Sequence, residues 1–178
     1  DPTYGQGPYV VNVYGEPGGT SFEHRPVIRQ IWGGGVIDLA YIKLLPSNAN
    51  GNVVQKTIIN DRNGNVTELF YDLANRQVRK RAFTGRATKG QPTTENGNRP
   101  LEKLRPGDPD YFETITVFNE DSLVRQVIHP NGNITEYEYE SDLNPEAKAR
   151  TRGNLRTIRR LPGAHQPVGD QDQLEEHF

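Results

Sequence analysis

Nine consecutive residues occur twice in this chain without a gap. Positions 64–72, GNVTELFYD, align with positions 132–140, GNITEYEYE, at a constant offset of 68 residues. Each copy follows an asparagine, so the copies open on Asn63-Gly64 and Asn131-Gly132. Repetition of this kind sets the architecture before any single residue is weighed, because each copy is one supersecondary unit. The unit reads as a turn followed by a strand. Asn-Gly tolerates positive φ, and Pro130 presets a turn angle ahead of the second copy. After the turn the second copy alternates with period two: Thr135, Tyr137 and Tyr139 point one way, Glu136 and Glu138 the other. That spacing predicts a strand with one face buried and one, the acidic one, wet.

Turn and strand signals continue along the chain. Strands are predicted over residues 9–14, 27–32, 36–45, 53–60, 77–83, 111–118, 123–129, 134–139, 155–161 and 173–178. Three glycines, Gly33, Gly34 and Gly35, precede residues 36–45 and Pro46 follows them, which favours strand over helix there. Residues 84–110 are dense in glycine and proline, and are expected to form an insertion outside the sheet. A second insertion covers residues 141–152, with a helical turn over 145–149. The expected fold class is all-β, built of antiparallel hairpins.

Composition narrows the class. Only 33% of the 178 residues are hydrophobic, while 18 are glycine and 13 proline. Such a chain is turn-rich and short of material for a self-sufficient core. It is expected to be one stretch of a longer array whose neighbours cover faces it cannot bury itself. A net charge of −2 argues against both a disordered polyelectrolyte and a nucleic-acid binder. With no cysteine, disulfides and thiolate metal sites are excluded. No apolar run approaches membrane-spanning length, so no membrane insertion is expected. No signal peptide opens the chain, and its start at Asp1 rather than Met points to a processed product or a fragment.

The first copy and its continuation, with Gly64, Tyr71, Asp72 and Arg76, resemble the tyrosine-aspartate repeat of the RHS family. More loosely, so do Gly132, Tyr137 and Tyr139 in the second copy. Phe118-Asn119 and Tyr139-Glu140 stand where further Tyr-Asp pairs would fall, 21 residues apart. Asn75 and Ser122 stand for the repeat's turn glycine, Leu123 for its arginine and Glu140 for an aspartate. The resemblance covers residues 53–160 and matches residues 1–52 poorly. It implies one RHS-type segment over residues 1–178, with repeat units at about 53–83, 111–140 and 153–178 and insertions at about 84–110 and 141–152. By resemblance, the hairpins would form part of a spiralling β-sheet shell of a secreted or cell-surface protein. That shell would enclose a C-terminal toxin or effector polypeptide. The implied partners are the rest of the repeat polypeptide and the enclosed domain. The self-cleavage motif that ends the family's repeat region has no counterpart here, so no catalytic residue, cofactor or metal is expected, and the chain is not read as an enzyme.

Residue chemistry leaves rivals to that reading. Glu136, Glu138 and Glu140 on one strand face offer a carboxylate pair for glycoside hydrolysis, but a solvated acidic face is the plainer expectation. Residues 61–65, DRNGN, have the outline of a calcium loop, yet strands flank them and a hairpin turn fits better. His24, His129, His165 and His177 show no metal-ligand spacing. The basic residues Arg76, Arg79, Lys80, Arg81 and Arg86 suit a wet strand face better than a nucleic-acid surface. The alternative function is a carbohydrate-binding or adhesive β-repeat module, contacting glycans through exposed tyrosines and Trp32. On either reading Leu69 and Tyr71 share a face with Tyr137 and Tyr139, where aromatics would pack strand on strand.

Overall fold

A computed structural model describes residues 9–15, 25–87, 102–163 and 173–178. The chain is all-β. Its strands are β1 (Val10–Tyr14), β2 (Val27–Trp32), β3 (Gly35–Lys43), β4 (Gln55–Asn60), β5 (Asn65–Tyr71) and β6 (Gln77–Arg86). They continue with β7 (Tyr111–Phe118), β8 (Val124–Ile128), β9 (Ile134–Tyr139), β10 (Leu155–Leu161) and β11 (Leu174–His177). The strands form one sheet in sequence order, each beside its neighbours along the chain. Two compact units divide it. The first holds the described residues up to Arg76 together with Arg81–Phe112, and the second holds Gln77–Lys80 and Glu113–Phe178.

Among the described residues one turn recurs four times. The residues at 61, 72, 119 and 129 each donate their N–H to the carbonyl four residues on, and each accepts from the N–H three residues on. The third residue on has positive φ in every case: Gly64 (82°), Asn75 (57°), Ser122 (61°) and Gly132 (85°). This is the three-residue hairpin loop, a type I turn closed by a left-handed residue. Glycine fits it without strain, and Asn75 and Ser122 take the same conformation against their preference. Side chains lock the loops. Asp72 Oδ1 accepts from the N–H groups of Ala74 (3.0 Å) and Arg76 (2.9 Å), and Asn119 Oδ1 accepts from Leu123 N–H (2.9 Å). Gly33 and Gly34, both at positive φ between the paired Trp32 and Gly35, make the tighter two-residue turn from β2 to β3.

The core lies in the first unit and is as polar as it is apolar. Val53, Ile58, Val66 and Phe70 are its buried apolar residues, and Lys56, Thr57, Asn60 and Glu68 are buried with them. Register explains the grouping. Ile58 pairs with Glu68, Lys56 with Phe70 and Asn60 with Val66, so these six share one face of β4 and β5. The face carrying Glu68 is the most buried in this unit, while Leu69 and Tyr71 opposite it are half-buried; in the second copy, whose acidic face is expected to be wet, Glu136 and Glu138 are half-buried, as are Thr135, Tyr137 and Tyr139 on the other face. Polarity alternation marks two faces but not which is inside when cations accompany the acid.

Three further expectations are corrected. The strand assigned to residues 77–83 runs on to Arg86, so Thr84, Gly85 and Arg86 lie in the sheet. Thr84 N–H donates to Asp110 O (3.1 Å), its hydroxyl donates to Pro109 O (2.6 Å), and Gly85 bridges Lys103. Backbone partners on the returning chain extend β6 despite its glycine; residues 88–101 of that insertion lie outside the described residues. The helical turn falls at α1 (Glu140–Leu143), ahead of Pro145. Asn144 takes extended angles, as a residue before proline prefers, which stops the helix there. Finally, Arg79 and Arg81 are not on a wet face: their side chains are largely covered and pair with Glu113 and Glu68.

Candidate functional site

In the first unit Glu68 is 0% exposed and Lys56 3%. Lys56 Nζ lies 3.4 Å from Glu68 Oε1, and Arg81 Nη1 lies 3.9 Å from Oε2. Arg81 is held as a plane: its guanidinium sits 5.1 Å from the Phe70 ring centre and 4.5 Å from that of Tyr111. Tyr111 in turn meets Phe83 edge-on at 5.6 Å. One carboxylate thus has two cations, closed over by aromatic rings. Such a cluster fixes packing; it offers no access to a ligand.

The second unit treats the same repeat position differently. Glu136 lies 68 residues after Glu68 and pairs with Gln126 on β8 and Arg159 on β10. Glu138 pairs with Thr157. These side chains line an open cavity of about 300 Å³, together with Arg125. Gln126 Nε2 donates to Glu136 Oε1 (3.2 Å). Arg159 donates from Nη2 to Glu138 (3.3 Å) and from Nε to Glu175 (3.0 Å). The hydrogen bond from Arg159, opposed by burial and helped by its charge, holds the Glu175 carboxyl below the usual range.

A bulge builds the mouth of this groove. Val117 pairs with Gln126 but Phe118 with Val124, so Arg125 is an extra residue on β8. Bulges re-aim side chains, and here Arg125 joins Gln126 on the groove rather than alternating away from it. A second register shift, between Leu155 and Thr157 on β10, leaves Arg156 as the extra residue, and Arg156 Nε donates to Glu140 (2.7 Å).

The residues singled out from the sequence fall into turns and strand ends. Gly64 and Gly132 hold the left-handed position of two of the four hairpin loops. A Cβ on Gly64 would lie 3.1 Å from Ala87 O, so backbone approach also selects glycine there. Asp72 and Arg76 form one turn unit: Arg76 Nε donates to Asp72 Oδ2 (2.8 Å), and its Nη2 lies 2.7 Å from the same oxygen. Burial pushes the Asp72 carboxyl up, but the Arg76 bonds and charge and the Ala74 N–H more than offset it, so the carboxyl stays below its ordinary value. Tyr71 ends β5 opposite Gln55. Tyr139 donates its hydroxyl to Val124 O (3.0 Å), tying β9 to β8, and burial, aided by Tyr137 and Asp142, pushes its phenol up and keeps it a neutral donor. Tyr137 pairs with Ile158.

The other candidates resolve by geometry. Asp61 spends Oδ1 on the N–H groups of Asn63 (2.8 Å) and Asn65 (2.9 Å) and Oδ2 on Asn65 Nδ2 (2.8 Å), so residues 61–65 are a hairpin turn. Trp32 is 40% exposed and Tyr9 71%, in edge contact at 6.5 Å, but the Arg62 guanidinium stands 5.3 Å from the Trp32 ring centre. Among the described residues no group of three or more His, Asp or Glu is placed to hold a metal ion. Sequence reasoning missed Arg125, Gln126 and Arg159. The ungapped alignment did carry a signal, since Glu138 stands where the first copy has Phe70. No protein-family model matches the chain, and no curated protein matches it significantly.

Proposed function

We propose that this chain is a structural segment of the β-sheet wall of an RHS-type shell, which encloses a C-terminal toxin or effector polypeptide in a secreted or cell-surface protein. The observation that carries the reading is the hairpin loop used four times with one hydrogen-bond pattern, in a sheet whose strands follow in sequence order. A wall of this kind works physically. Hairpin after hairpin satisfies its own backbone, and a continuous sheet separates what lies on its two sides. The side chains that fix the loops, Asp61, Asp72 and Asn119, serve construction rather than chemistry. The test is protease protection of the parent polypeptide. Its C-terminal region should resist added protease while the wall is folded and be digested once mild denaturant opens the wall. Digestion at the same rate before and after opening would overturn the reading.

A second reading, a glycan-binding or adhesive β-repeat module, is favoured by one observation, the exposed Tyr9–Trp32 pair. Aromatic rings of that kind stack on sugars. A glycan-array screen with Trp32→Ala as control separates the two: binding lost in the variant at unchanged stability supports the module.

A further inference from the structure

The repeat supplies its own internal comparison for the groove. Glu68 and Glu136 are the same position of the two copies. At Glu68 the preceding strand provides an ammonium on an aliphatic stem, Lys56, and the following side a guanidinium, Arg81. At Glu136 the preceding strand provides a neutral amide, Gln126, and the guanidinium of the following strand, Arg159, bonds Glu138 and Glu175 instead. One carboxylate with two cations has become two carboxylates, Glu136 bonded by a neutral amide and Glu138 by a guanidinium that it shares with Glu175. Asp142, also on the groove, is engaged by Tyr139 N–H and Asn119 Nδ2. The groove is open, apolar at Val117, and its 300 Å³ sits at the lower end of the range for small-molecule sites, about 300–1,000 Å³.

We propose that this groove binds a primary ammonium group on an aliphatic stem, with Glu136 and Glu138 as the acceptors and the stem lying along Val117. The chemistry is that of Lys56 on Glu68, supplied from outside the unit. Its source is either a lysine of a polypeptide partner or a free alkylamine. Arg125, exposed on the rim, is a competing cation. The inference stands apart from the shell reading, since it rests only on the second unit's side chains and their first-copy counterparts.

The experiment is an amide chemical-shift titration of the full nitrogen-15-labelled chain. The probes are Nα-acetyl-lysine methylamide, n-butylamine and the uncharged Nα-acetyl-norleucine methylamide, all at fixed ionic strength. Saturable shifts at Gln126, Glu136, Glu138 and Arg159 are expected with both amines and not with the norleucine probe. Tighter binding of the lysine probe than of butylamine points to a polypeptide source; equal binding points to the free amine. Glu136→Gln, which keeps shape and the bond to Gln126, should weaken the amines about tenfold, as loss of one half-buried charge contact of roughly 1.4 kcal/mol implies. Arg125→Gln, an exposed change that leaves the strand pairing intact, should tighten them. Equal shifts from the norleucine probe, an unchanged midpoint in Glu136→Gln, or shifts spread evenly over all acidic residues would overturn the proposal.

Discussion

Glu68 and Glu136 hold the same place in two copies of one sequence, and the molecule finishes them in opposite ways. Around Glu68 the sheet face is closed by Phe70, two cations are brought in, and the carboxylate is fully buried. Around Glu136 the position of Phe70 is taken by Glu138, a bulge turns Arg125 onto the face, and a groove remains. The hairpin loop ahead of each strand is closed by the same pair of backbone hydrogen bonds. The difference teaches that the hairpin loops set the fold, while the face chemistry is free to diverge into either a buried ion cluster or an accessible one.

The largest expected effect tests that contrast directly. Glu68→Ala leaves Lys56 buried without its carboxylate and should cost about 3–5 kcal/mol, whereas Glu136→Ala, at the open groove, should cost no more than about 1 kcal/mol. Urea unfolding of both variants measures this, and equal losses would erase the distinction between the two faces. Next come the loops. Gly64→Ala and Gly132→Ala force alanine to φ near +80° and should each cost roughly 1–3 kcal/mol, Gly64 the more because Ala87 O crowds its Cβ. The reciprocal changes Asn75→Gly and Ser122→Gly remove strain and should be neutral to stabilising by up to about 1 kcal/mol. A loss of stability in the reciprocal pair would show that those side chains matter more than the conformation.

A smaller effect separates individual hairpin loops by pH. The carboxyls of Asp61 and Asp72 are held below their ordinary values, so the folded state favours their charged form. Their contribution is therefore complete above the unfolded carboxylate range and is lost as pH falls through the depressed folded values. Asn131 accepts a turn N–H with an uncharged amide and has no such dependence. Hydrogen-exchange protection factors, corrected for intrinsic rate, should fall with acid at the amides of Asn63, Asn65, Ala74 and Arg76 before that of Asn133. Simultaneous loss at all five would contradict it. The smallest effect is expected at Arg156→Ala, which breaks an exposed pair with Glu140 and should change stability by about 0.5 kcal/mol or less. Thermal unfolding of that variant beside Arg76→Ala, whose pair is more covered, ranks the two.

Much of the backbone was legible because turn chemistry is local. Asn63-Gly64, Asn131-Gly132 and the 119–122 turn all carry their conformation in two to four residues. Even the substitutions Asn75 and Ser122 for glycine pointed at the left-handed position they hold. The face assignment was not legible, because alternation cannot tell a solvated carboxylate from one neutralised across strands by Lys56 and Arg81. The groove was hidden for a different reason. It depends on one extra residue, Arg125, and a bulge leaves no mark in a period-two pattern until the partner strand's register is known. The extension of β6 to Arg86 was likewise decided by distant partners, Pro109 and Asp110, against a local run rich in glycine.

The sequence-ordered sheet has a kinetic meaning. Where each strand's neighbour in space is also its neighbour along the chain, no pairing has to wait for a strand further off, and five of the ten connections close over five residues or fewer, which lowers contact order for an all-β protein. The closing bond of the second copy shows how much freedom this leaves. Glu140 N–H reaches Asn154 O at 2.9 Å, as Asp72 N–H reaches Arg76 O at 3.1 Å. A loop of three residues in one place and thirteen in the other is sealed by the same contact. Loop entropy grows only with the logarithm of length, so a meander of this kind can lengthen at any hairpin tip without renegotiating the pairing on either side.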